Sequence, residues 1–228
     1  MAKAVFNGFS DGTFAFLKDL KAHNDKAWFD ANRDRYEAIW KGEAQDLIAA
    51  LSGPMSELDP PLQAVPRLNG SLRRINRDVR FSKDKSPYSA RLHLIFWTGE
   101  HPNRSPGMHL VLHPDGIGYG AGAWGYDPAA LKRLRKRILD PKDRAALMAA
   151  IEQARAAGSE MGEPDLVNLP KGYEEAKGDW THLLRRKAFV MRTLERVERP
   201  DWISSPDATA RIMDLTRAHL PFIRWLAS

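Results

Sequence analysis

Glycine recurs at every second position from Gly116 to Gly122, interleaved with Ile117, Tyr119, Ala121 and Ala123. At a period of two, such a run is a β-strand with side chains on one face and bare backbone on the other. Glycine costs conformational entropy in a strand interior, so four in register imply that something approaches the backbone closely. A packed helix is the expected neighbour, and a ligand is the alternative. Pro114-Asp115-Gly116 turns into this strand from another at residues 108–113, which a loop rich in Gly, Pro and Asn precedes.

Residues 88–97 read as a further strand returning from residues 72–81, the two joined through the polar connection 82–87 as a hairpin. Ahead of the hairpin, Ser10 or Asp11 caps a helix striped by Phe14, Phe16, Leu17 and Leu20 that ends near His23. Asn24 then caps a long second helix striped by Trp28, Phe29, Asn32, Tyr36, Ile39, Trp40, Leu47, Ile48 and Leu51, with Gly53-Pro54 as its stop. Downstream, Asp127-Pro128 and Asp140-Pro141 open two amphipathic helices. Residues 158–179 are loop-like, 180–197 are ambiguous between helix and strand, and a last helix over 207–226 carries a kink at Pro221. No internal repeat or composition shift marks a boundary. The expectation is a single α+β domain over residues 1–228, with a central antiparallel sheet of at least four strands flanked by N-terminal, middle and C-terminal helices.

The chemistry concentrates in residues 73–88, where six cations, two carboxylates and an Asn crowd one segment. As a strand, it places Leu72, Arg74, Asn76, Asp78, Arg80 and Ser82 on a polar face, and Arg73, Ile75, Arg77, Val79 and Phe81 on an apolar one. Guanidinium forks bind phosphate or carboxylate bidentately, and a neighbouring Asp holds an Arg in place. Arg74, Arg77, Arg80 and Lys85 outnumber Asp78 and Asp84, so local pairing leaves positive charge for an anion. Arg77, on the apolar face, is the most desolvated of the four. Asp78 sits between arginines that depress its pKa, which suits an orienting carboxylate better than a general base. Lys85 and Tyr88 can reach back over the strand as phosphate donors. An internal ion-pair brace is the competing reading of the same residues.

The pattern Arg74-x-x-Arg77-Asp78-x-Arg80-Phe81-x-x-Asp84-Lys85-x-x-Tyr88 resembles the signature of a family of bacterial conserved hypothetical proteins, domain of unknown function 2461. The resemblance extends to Phe16-Leu17, Asn24, Trp28-Phe29 and Tyr36 on one side of the motif. On the other it takes in Gly120, Gly122, Pro128, Pro170-Lys171-Gly172-Tyr173, Leu184 and Lys187-Ala188-Phe189, and so nearly the whole chain. His23 stands where the family pattern has a second Asn. The resemblance implies membership and brings no activity with it.

Composition narrows the function classes. A net charge of +6 favours acidic partners, and the absence of cysteine removes disulfides, thiolate nucleophiles and Cys-held metals. The N-terminus lacks an apolar signal core, and no window approaches the roughly 20 apolar residues of a membrane span. A soluble, cytoplasmic protein without a membrane partner is expected. His109 and His113, four apart on a strand, stand about 13 Å from each other, too far for one metal; His93 is placed to neighbour one of them across the sheet. No metal site is expected. H-E-x-x-H, the P-loop, a dinucleotide fingerprint ahead of a helix and G-x-S-x-G are absent, so no catalytic residue or cofactor is assigned. The expected function is a site for an anionic small molecule, phosphate or nucleotide-like, at Arg74, Arg77, Asp78, Arg80, Asp84, Lys85 and Tyr88, with or without catalysis. The alternatives are nucleic acid on the same basic face together with the run Lys-Arg-Leu-Arg-Lys-Arg at 132–137, and a protein interaction module.

Overall fold

The computed structural model describes residues 5–195 and 197–228. The glycine run forms β3 (Gly116–Ala123), which lies between β2 (Gly107–His113) and a divided edge made by β5 (Phe189–Arg192) and β6 (Val197–Glu198). With β1 (Leu92–Trp97) beside β2 and β4 (Glu160–Met161) beside β5, the six-stranded sheet runs β1-β2-β3-β5-β4, β6 pairing with β3. Every pairing is antiparallel.

The nearest atoms beside the glycines belong to the neighbouring strands and not to a helix. A Cβ on Gly120 would stand 2.2 Å from the Met191 carbonyl oxygen, and one on Gly116 2.3 Å from that of Val197. At Gly116, Gly120 and Gly122 the backbone of the neighbouring strands stands where side chains would have to go.

Alternation sorts the two faces of the sheet. Leu92, Leu94 and Phe96 pair across with Leu112, Leu110 and Met108, and the same face continues into Ile117 and Ala121. All of these are buried. They share one apolar core with Phe16, Leu17 and Leu20 of α1 (Asp11–Ala22) and with Ile212, Phe222 and Ile223 of α7 (Ala208–Ala227). The helices α5 (Pro128–Leu139) and α6 (Pro141–Ala156) pack on each other, and α6 packs on α7. Both begin as their caps dictate: Asp127 accepts from the Ala130 N–H at 2.7 Å, and Asp140 from those of Lys142 and Asp143 at 2.9 Å. The opposite face of the sheet carries His93, His109, Val111, His113 and the glycines.

Three expectations are corrected. The long second helix is segmented into α2 (Lys26–Ala31), α3 (Arg33–Glu37), a π-helical turn (Ala38–Glu43) and α4 (Ala44–Ser56). Its first break is at Asn32, whose side chain donates to the Trp28 carbonyl and accepts from Arg35, competing with the helical ladder. Gly53-Pro54 does not stop α4, because the fully buried Met55 holds one more turn in place and its carbonyl accepts from the Leu58 and Leu62 N–H groups. The segment 72–81 is not a regular strand. Its pairing with the return segment survives as bonds from Arg73 N–H to His93, Ser89 N–H to Ile75 and Arg77 N–H to Pro87, after which Asp78 accepts from the Arg80 N–H and turns the chain away. The expected faces fail accordingly: Leu72 is buried, while Phe81 is 96% exposed.

Candidate functional site

The N-terminal helices hold the motif from behind. The Asn24 side chain clamps Tyr88 by its backbone, accepting from its N–H at 3.0 Å and donating to its carbonyl at 2.9 Å. The Tyr88 ring is buried and stacks on Phe29, centroids 4.2 Å apart, with Tyr36 next in the aromatic row. Residues far apart in the sequence pattern thus meet at one joint.

Both acids of the motif are paired inside it. Arg77 donates to Asp84 at 2.5 Å and to the Ser86 carbonyl at 3.0 Å, and hydrogen bonds from Ser86, then Arg77, hold the Asp84 carboxyl down at about 2. Arg80 folds back on Asp78 with two short bonds, Nε to Oδ1 at 2.9 Å and Nη2 to Oδ2 at 2.6 Å, and this lowers the Asp78 pKa. Lys85 donates to the Val79 carbonyl at 3.0 Å and closes the exposed tip. Arg74 is the motif cation whose guanidinium makes no hydrogen bond or ion pair with a described residue. These arrangements divide the seven expected residues. Arg74, Arg77 and Asp78 line one groove; Arg77, Asp84 and Tyr88 line a second; Arg80 and Lys85 stand on the tip and line neither.

Three grooves meet at Arg91, two residues before His93 on the same side of the chain. The first, about 280 Å³, is bordered by Arg73, Arg74, Arg77 and Arg91 with Asp78 as its one carboxylate. The second, about 480 Å³, runs toward Lys21 and Asn24. The third, about 380 Å³, lies on the sheet face away from the helices, floored by His93, His109 and Gly120 and walled by Trp124, Arg192 and Glu195. On that floor His93 Nε2 and His109 Nδ1 are 2.9 Å apart, and Trp124 meets His109 edge to face at 5.2 Å. Burial, then the neighbouring His109, Arg91 and Arg73, pushes His93 down to about 3; burial, then Arg73, pushes His109 down to about 4. Both rings are uncharged at neutral pH. Among the described residues no group of three or more His, Cys, Asp or Glu side chains is arranged to hold a metal ion.

Arg73 and Arg91 were outside the expected set. The signal for Arg91 was its period-two relation to His93; Arg73 was assigned to an apolar face, and its position on the groove depends on the broken alternation. The basic run on α5 is partly structural: Arg135 donates to the Leu184 and Arg186 carbonyls, and Arg137 to that of Trp225 while its guanidinium lies 4.1 Å over the Trp225 ring. Lys132, Arg133 and Lys136 remain exposed.

An antiparallel sheet backed by helices on one face, with arginine-bordered grooves and a neutral histidine pair on the other, defines an α+β protein with a cationic cleft. A family model matches residues 12–225, and the chain belongs to that family, described as conserved hypothetical protein (DUF2461). No curated protein and no solved structure matches it. Among the described residues no helix is long and apolar enough to cross a membrane.

Proposed function

We propose that the protein binds an anionic small molecule, through a phosphate or carboxylate group, in the groove between the motif hairpin and β1. The observation that carries this reading is the charge count around that groove: Arg73, Arg74, Arg77 and Arg91 face one carboxylate, Asp78, which is already engaged by Arg80. Arg74 and Arg91 have no hydrogen-bond or ion-pair partner among the described residues, so their forks are free for a bidentate anion. The paired residues Arg80 and Asp78, and Arg77 and Asp84, then act as the frame that presents Arg74. Nucleic acid is the less favoured ligand, because Arg135 and Arg137 of the basic helix are engaged by backbone carbonyls.

Thermal unfolding in phosphate, sulfate and a nucleoside monophosphate tests the reading. A ligand at a hundredfold excess over Kd stabilises the native state by about 2.7 kcal/mol, a rise of several degrees in Tm that Arg74→Met and Arg91→Met should each abolish. A parent protein whose Tm none of the three anions moves is not an anion binder of this kind. Tight oligonucleotide binding that falls steeply with salt would transfer the site to the nucleic-acid reading.

A further inference from the structure

The two histidines on the sheet face hydrogen-bond to each other and to no other described side chain or carbonyl. With both rings uncharged, one proton lies between His93 Nε2 and His109 Nδ1, and each ring carries one N–H. If His93 donates, the outer lone pair is on His93 Nδ1 and the outer N–H on His109 Nε2; if His109 donates, the two are exchanged. The pair therefore always presents one acceptor and one donor outward; exchanging them requires the shared proton to cross while one ring loses its outer N–H and the other gains one. A histidine with a purely structural task is anchored at both nitrogens, as His219 is, Nδ1 against the Leu215 carbonyl at 2.7 Å and Nε2 against Ser159 Oγ at 2.8 Å. The outer nitrogens of the pair have no such anchor.

The charges around the pair come from the elements beside it: Arg91 just before β1, Arg73 on the hairpin, His113 on β2, and Arg192 and Glu195 on and just after β5. Among these described residues Arg73, Arg91 and Arg192 outnumber the carboxylate of Glu195. In the empty groove that field and the burial of the rings both oppose a further proton. An anion seated beside Arg73 and Arg91 offsets that field. We propose that the His93–His109 pair is the acid–base site of the groove: it takes up one proton from solvent when a phosphate- or carboxylate-bearing ligand occupies the neighbouring arginines, and passes it to the ligand through an outer ring nitrogen. The proton adds to the outer lone pair, the pair becomes a singly charged imidazole–imidazolium couple, and delivery to an oxygen or nitrogen of the ligand returns it to the uncharged state. The substrate class is an anion with a proton-accepting atom beside its charged group. This inference rests on the anion site proposed above.

Sulfate is the probe, because it carries no titrating proton near neutrality. Calorimetry in two buffers of different ionisation enthalpy should show proton uptake with sulfate binding. Affinity should rise on acidification from about pH 7.5 to about pH 5.5, by no more than about tenfold per pH unit for one proton. His93→Gln and His109→Gln should each bind sulfate with the uptake and the pH dependence lost. In the parent protein, imidazole ¹⁵N resonances of both rings should move toward the protonated form as sulfate is added, a readout that needs no variant. Sulfate binding with no proton uptake, or with uptake unchanged in both variants, overturns the acid–base assignment and leaves the anion site standing. If sulfate fails to bind at either pH, the anion site fails, and the assignment falls with it.

Discussion

Arg77 and Arg80, three residues apart in the motif, are held in opposite ways. The Arg77 side chain is 29% exposed and spreads over Asp84, the Ser86 carbonyl and Ser82, whereas that of Arg80 is 77% exposed and folds onto Asp78 two residues away. Losing Arg77 leaves the Ser86 carbonyl without its guanidinium donor and Asp84 with only its bonds from Ser86; losing Arg80 removes a solvent-screened pair. Arg77→Ala should cost about 1–3 kcal/mol, and Arg80→Met should leave the midpoint close to that of the parent, as read from urea midpoints. Equal losses would mean that the tip pair braces the hairpin as much as the inner one does. Asp84 adds a pH signature. Its carboxyl is held at about 2 by Ser86 and Arg77, below its unfolded value, so its contribution is complete above the ordinary carboxylate range and is lost as pH falls through about 2. Asp84→Asn should therefore be less stable than the parent at neutral pH, and the two melting curves should converge in strong acid.

At the scale of the element, β3 shows how alternate glycines set the shape of a sheet. The positions are not equivalent. A Cβ on Gly120 would meet the Met191 carbonyl oxygen at 2.2 Å and Arg192 Cα at 2.7 Å, backbone atoms that cannot step aside; one on Gly118 would meet the Thr193 hydroxyl at 3.3 Å, the end of a side chain. Gly120→Ala should cost about 2–4 kcal/mol through overpacking of the β3–β5 pairing. Gly118→Ala should stay within about 1 kcal/mol of the parent, since the loss of unfolded-state freedom offsets a mild contact. Denaturation midpoints of the two variants decide this, and a tolerated Gly120→Ala would show that β5 can retreat. The segmented N-terminal helix teaches the complementary lesson: its apolar stripe held from Phe29 to Leu51, yet Asn32 broke the ladder and buried Met55 extended it past Gly53-Pro54.

For the molecule as a whole, three histidines are folded in the uncharged form: His93, His109 and the fully buried His219, each lowered chiefly by burial. Unfolded, each titrates near the ordinary value, so below it the unfolded chain binds more protons and stability falls with falling pH. The loss continues down to the folded values, about 3 for His93 and about 4 for His109. Each group adds up to about 1.4 kcal/mol per pH unit to that slope. The urea midpoint should drop between about pH 6.5 and about pH 5, less steeply in His109→Gln than in the parent. A flat profile over that range would mean that these rings are already protonated in the native state.

What the sequence determined by itself is everything that depends on neighbours along the chain. Asp127-Pro128 and Asp140-Pro141 start α5 and α6 because a cap needs only its own first turn, and the alternation of residues 116–123 makes β3 because side chains in a strand must alternate. The Arg77 and Asp84 pairing was available too, since both lie in one short hairpin. Only the tertiary structure decided which atoms fill the space beside the glycines, which motif cations are left unpaired, and that His93 and His109, sixteen residues apart, bring their rings to 2.9 Å. Those outcomes follow from the register of β1 on β2 and the close approach of β5 to β3, where hydrogen bonds and excluded volume join segments that no local spacing relates.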